Sequence, residues 1–129
     1  MNYIVTKEKM EQYLRLEIGD NDLFPDEAPS GTSFYDLVPE NDEACVVREE
    51  HIINLLNKFV DGLIDDSKVK EYVETLIALD LFNFDESNDL THDLISNVVF
   101  TLDELKDVNG EISKEDAVKL RDKFAVRIS

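Results

Sequence analysis

The chain has 129 residues, enough to bury a core as one domain. Its apolar share of 43% excludes wholesale disorder, while 30 Asp and Glu against 13 Lys and Arg give a formal net charge of −17. Such a surface repels nucleic acid and anionic membranes and draws basic proteins or cations in fast, salt-sensitive encounters; at its plainest, the same acidity only keeps a small protein soluble.

A single cysteine, Cys45, leaves no intramolecular disulfide and fits a reducing compartment. The opening MNYIVTKEKMEQ lacks the apolar run of a signal peptide, and no segment approaches the roughly 20 apolar residues of a membrane span. The expectation is a soluble, cytoplasmic protein without a membrane partner.

Taken in order, Tyr3, Ile4 and Val5 allow a brief extended segment. Residues 6–18 then predict a short amphipathic helix, with Thr6 as N-cap and Met10, Tyr13, Leu14 and Ile18 toward one side. From 18 to 45 comes a long acidic loop holding Pro25, Pro29, Pro39 and the pair Ser30–Gly31, which exclude a continuous helix or a central strand. Its Leu23, Phe24, Phe34, Tyr35, Leu37 and Val38 are expected to pin it to the helices. Its acids, among them Asp20, Asp22, Asp36 and Glu43, are expected to face water.

Residues 46–126 form the predicted main bundle. Ile52, Leu55, Leu56, Phe59, Val60 and Leu63 follow the i, i+3, i+4, i+7 rule and make one wide apolar face. Val69, Tyr72, Val73, Leu76 and Ile77 repeat the stripe beyond Gly62. In LDLFNFDESNDL, Phe82 and Phe84 alternate with polar residues and are expected to tuck both rings into the core. Asp89 reads as the cap of a helix carrying Leu94, Ile95, Val98, Val99 and Leu102; Ala117, Leu120, Phe124 and Ile128 face inward from the last helix, which runs from Ser113.

One pattern occurs twice: an apolar-striped helix, a stopping Gly (Gly62, Gly110), an Ile (Ile64, Ile112), a capping Asp65 or Ser113, and a new helix. Each Ile is placed to staple onto Val69 or Ala117 in the following turn. The connections are short enough to predict antiparallel or steeply crossed neighbours. The predicted architecture is a single all-α domain over 1–129, a compact bundle of about five helices with the long acidic loop after the first.

Site chemistry is sparse. Setting Gly110 at the sixth position of an EF-hand loop puts Leu105 where the first calcium ligand belongs and Asp116 where a bidentate Glu is needed, so helix punctuation accounts for the turn without metal. His51 and His92 sit among polar helical neighbours, and acidic surroundings work against a nucleophilic Cys45. No GxSxG, HExxH, CxxC or Gly-rich phosphate loop is present. The basic residues are dispersed among acids, without the patch that counter-ion release from nucleic acid requires. The expectation is therefore no catalytic residue, no metal, no cofactor and no small-molecule substrate.

What remains is an acidic binding surface. Asp80, Asp85, Glu86 and Asp89 gather around the aromatic connection, and Glu49, Glu50 and Asp61 line one helix. Carboxylates interleaved with Phe and Tyr can imitate a nucleic acid before a basic cleft. The other reading is an acidic adaptor or regulatory module that binds a protein through an apolar helix groove.

The segments IINLLNKFVDGLIDDSKVKEYVETL, LDLFNFDESND, LISNVVFTLDEL and NGEISKEDAVKL together resemble the bacterial self-protective immunity proteins of the colicin D type, and those paired with contact-dependent growth-inhibition toxins. The resemblance runs from Val46 to Phe124 and omits the acidic loop. It implies a helical antitoxin that binds a cognate basic nuclease domain, typically a tRNA-cleaving one, and covers its active site. It transfers no individual contact residue.

Overall fold

The computed structural model describes residues 2–128, with side chains described to Ala125. The elements are β1 (Tyr3–Val5), α1 (Lys7–Leu14), β2 (Leu37–Pro39), β3 (Cys45–Val47), α2 (Glu49–Val60), α3 (Asp66–Ala78), β4 (Phe82–Phe84), α4 (Asp89–Asn109) and α5 (Lys114–Ile128). The five helices predicted are present and the fold is mostly α. It also holds two small parallel sheets, in which β1 pairs with β2 (Tyr3↔Leu37) and β3 with β4 (Cys45↔Phe82).

The first helix is shorter than its periodicity implied. Thr6 caps it, its side chain accepting from the Lys9 N–H, but it ends at Leu14. Leu16 takes a left-handed φ of 64°, and Glu17 N–H turns back to the Gln12 carbonyl, closing the end as a glycine would. A non-glycine residue there carries about 1 kcal/mol of strain, held in place by packing of the half-buried Leu16 on the core. The orphaned Leu14 carbonyl is taken up by the buried Tyr72 hydroxyl at 2.8 Å, which ties α1 to α3.

The stretch 18–45, expected as one long acidic loop, holds short regular elements. Three short 3₁₀ turns (Asp20–Leu23, Phe34–Asp36, Glu40–Asp42) alternate with β2 and the start of β3. Local side chains hold them: Asp22 Oδ2 accepts from Gly19 N–H and Ser33 Oγ from Tyr35 N–H. Leu23 and Leu37 are buried as expected and Phe24 packs on Phe34 at 4.7 Å, but Tyr35 points into water at 75% exposure. Asp20, expected to face water, is half-buried.

The repeated turn behaves as its sequence requires. Gly62 and Gly110 have φ of 80° and 77°; Asp65 Oδ1 accepts from Lys68 N–H and Ser113 Oγ from Asp116 N–H. The two turns also meet. Asp66 Oδ2 accepts from Ile112 N–H at 3.1 Å and from Lys106 Nζ at 3.0 Å, and the Lys106 bond is the main reason its carboxyl is held below the usual range. With the turns locked together, the more extensive helix contacts join α2 to α5 and α3 to α4 rather than the pairs α2–α3 and α4–α5 that each turn connects.

The core draws on every helix: Met10 and Leu14, Ile52 and Leu55, Tyr72 and Val73, Ile95 and Val99, Ala117 and Phe124. Phe82 enters it, while Phe84 is only partly buried, against Phe100 and His92. Asn88, one residue before Asp89, is the cap of α4: its Oδ1 accepts from Thr91 N–H at 2.8 Å. The predicted inward position of Ile128 falls outside the side chains described.

Candidate protein-docking face

Parallel pairing decides where the acids fall. Because β3 and β4 run the same way, both strands end at one edge, and each then leads into a helix, β3 through Arg48 into α2 and β4 through residues 85–88 into α4. The N-termini of α2 and α4 are thus brought side by side. In larger parallel sheets the carboxyl ends of strands are also where ligands bind.

A hollow of about 400 Å³ lies between them, lined by Arg48, Glu49, Glu50, Asp85, Ser87, Asn88 and Thr91. Asp85 is held by three contacts. Its N–H donates to the Val47 carbonyl at 2.9 Å, its Oδ1 accepts from Ser87 N–H, and Arg48 Nη1 stands 3.6 Å from its Oδ2. Arg48 N–H in turn donates to His51 Nδ1 at 2.9 Å, which places the ring proton of neutral His51 on Nε2. His51 is only 7% exposed, and burial, partly offset by Glu50 and Glu11, lowers its pKa. Glu49 and Glu50 on α2 and Asp89 on α4 occupy first helical turns, where the partial positive charge of the helix end favours carboxylates.

Of the predicted surface, Glu49, Glu50 and Asp85 line this hollow, and the exposed Glu86 and Asp89 adjoin Asp85 and Asn88 in the connection between β4 and α4. Two predicted residues lie elsewhere. Asp61 caps the far end of the 12-residue α2, roughly 17 Å away at 1.5 Å per residue. Asp80 lies before β4, at the opposite end of that strand from Asp85. Sequence reasoning missed Arg48, Ser87, Asn88 and Thr91. The available signal was Asn88 as an N-cap, and the apolar triplet Cys45–Val47 and the alternating Phe82–Phe84 as a strand pair.

Cys45 is 4% exposed, and its thiol donates to Glu11 Oε1 at 3.6 Å. Burial first, and Glu11 second, push that thiol up to about 12, so it stays protonated near neutral pH. Asp107, three residues before Gly110, pairs with Lys70 at 2.9 Å. Among the described residues no three His, Cys, Asp or Glu side chains are grouped to hold a metal ion, and no helix is long and apolar enough to cross a membrane. Comparison with protein families, with curated proteins and with solved structures finds no match for this chain.

Proposed function

We propose that the protein is a non-enzymatic, cofactor-free cytoplasmic immunity protein. In this reading it neutralises a basic toxin domain, of the tRNA-cleaving nuclease class, by covering its cationic active site with the face built on Glu49, Glu50, Asp85, Glu86 and Asp89. The observation that carries the reading is the placing of these five acids around two adjacent helix N-termini, with Arg48 the cation among the hollow's lining residues. From Asp80 to Asp93 the chain holds five acids and neither Lys nor Arg. A surface so biased steers a basic partner into place and reads out as salt-dependent association.

The resemblance to colicin D-type immunity proteins points to the protein encoded beside this one as the partner to test. Purified protein titrated against that partner over rising salt is expected to bind tightly at low salt and to lose association rate as salt increases. Absence of binding at low salt would refute the reading. A second reading, an adaptor docking through apolar contacts, draws on the exposure of Leu90 (61%) and Phe100 (49%) on α4. There, Leu90→Ser and Phe100→Ser would weaken binding more than charge reversal at Glu50, Glu86 and Asp89.

A further inference from the structure

A second hollow, of about 230 Å³, opens between α3 and the turns before β2. It lies toward the start of β4, at the other end of that strand from the docking face. Asp20 and Thr75 supply its polar floor, Glu71 and Glu74 the helix side, and Phe34 and Tyr35 the aromatic rim. Sites that enclose small-molecule ligands commonly span roughly 300–1,000 Å³, so this one suits a single side chain better.

Three features set the character of this hollow. First, Asp20 is a half-buried carboxylate, and among the described residues no cation pairs with it within 4 Å; Lys68, the nearest candidate, is taken by Glu71 at 2.9 Å. Thr75 Oγ1 donates to Asp20 Oδ2 at 3.1 Å and fixes the carboxylate, yet burial still holds its pKa above the usual carboxylate range. Second, Tyr13, 1% exposed, turns its hydroxyl toward Asp20 and Thr75 beneath the floor. Tyr13 Oη and Asp20 Oδ1 face each other there, and among the described residues neither has another hydrogen-bond partner. Third, the Tyr35 ring stands 75% exposed on a turn that is itself well anchored by Ser33 and by Phe34 on Phe24.

We infer that this hollow receives an arginine side chain projecting from a partner protein, the guanidinium lying against Tyr35 and directed at Asp20, with Glu71 and Glu74 alongside. A planar guanidinium stacks on an aromatic face and forks onto carboxylates, whereas an ammonium is a compact, strongly hydrated point charge. Glu71 and Glu74, 45% and 58% exposed, each meet one lysine, Lys68 at 2.9 Å and the shared, mostly buried Lys70 at 3.4 Å, and a carboxylate so engaged keeps acceptor capacity for an incoming guanidinium. The inference does not require that partner to be a toxin.

The test titrates the whole protein with three blocked tripeptides carrying arginine, lysine or citrulline at the centre, followed by amide and side-chain NMR. The arginine peptide is expected to shift Asp20, Tyr35, Thr75 and Leu79, to bind about fivefold more tightly than lysine, and to leave citrulline far behind. Tyr35→Ala is expected to weaken it about fivefold, and Asp20→Asn, which keeps the acceptor for Thr75, about tenfold. Glu50→Lys/Glu86→Lys/Asp89→Lys should leave this titration unchanged, so failure here is separable from failure at the docking face. Equal binding of arginine and lysine, shifts centred on Glu49 and Asp85, indifference to both variants, or no binding would each overturn the inference.

Discussion

On the face where α3 meets α4, Lys70 gathers acids around a single ammonium: Asp103 at 2.6 Å, Asp107 at 2.9 Å and Glu74 at 3.4 Å, with the Lys70 side chain only 14% exposed. Burial lowers the pKa of this lysine, but the bonds to Asp103 and Asp107 outweigh it and hold the pKa above the ordinary value. At the carboxyl ends of β3 and β4, Arg48 is 55% exposed and meets Asp85 at 3.6 Å, with Glu49 and Glu50 lining the same hollow. Both regions are acidic helix surfaces in the sequence. In the first the negative charge is spent on joining two helices, and in the second one exposed arginine stands among three lining acids, with Glu50, Glu86 and Asp89 exposed. A net charge of −17 therefore says little about which carboxylates bind a partner until their cations are located.

Several substitutions would sharpen or break that contrast. Lys70→Met should cost about 2 kcal/mol of stability, because three acids lose a shared, mostly buried counter-ion; denaturant midpoints measure it, and a neutral result would mean those pairs are ornamental. Glu50→Lys/Glu86→Lys/Asp89→Lys should slow association with the basic partner by at least about tenfold at low salt, where Asp61→Lys, at the far end of α2, slows it much less. Equal slowing by the two would show that net charge, not the face, matters. Asp66→Ala should cost about 1–2 kcal/mol in the same denaturant assay, since the Ile112 N–H and Lys106 lose their acceptor.

The remaining two effects are smaller. His51 has a folded pKa below its ordinary 6.5, so on acidification the unfolded chain takes up a proton first, and stability falls as pH drops below about 6.5. Protonated Nδ1 can no longer accept from Arg48 N–H, which loosens the start of α2. His51→Gln, which keeps an acceptor, should flatten melting temperature against pH across that window; an unchanged slope would assign it to other groups. Arg48→Ala should shift stability by no more than about 0.5 kcal/mol while speeding association with a basic partner, because it removes a cation and little packing.

The helices could be read from the chain because their signals are local. A Gly at φ 80° or 77°, a cap accepting from a backbone N–H three residues on, and a 3.6-residue apolar stripe all act within a turn or two. The proposed docking face was half legible for the opposite reason. Asp85, Glu86 and Asp89 adjoin in the chain, but only strand pairing brings Glu49 and Glu50 to them and sends Asp80 and Asp61 elsewhere. Tyr35 and Asp20 exchanged their expected places, the ring outside and the carboxylate partly inside, because short 3₁₀ turns rather than a side-chain period set their directions.

By itself, then, the sequence determined a mostly helical chain with two glycine-stopped turns and a large negative charge, all properties of neighbouring residues or of composition. Tertiary structure alone decided that the turns lock through Asp66, that Lys70 silences one set of acids, and that β3 and β4 run parallel. Three-residue strands carry too little periodicity to announce a partner, and a charge becomes structural or available only through what folding sets beside it.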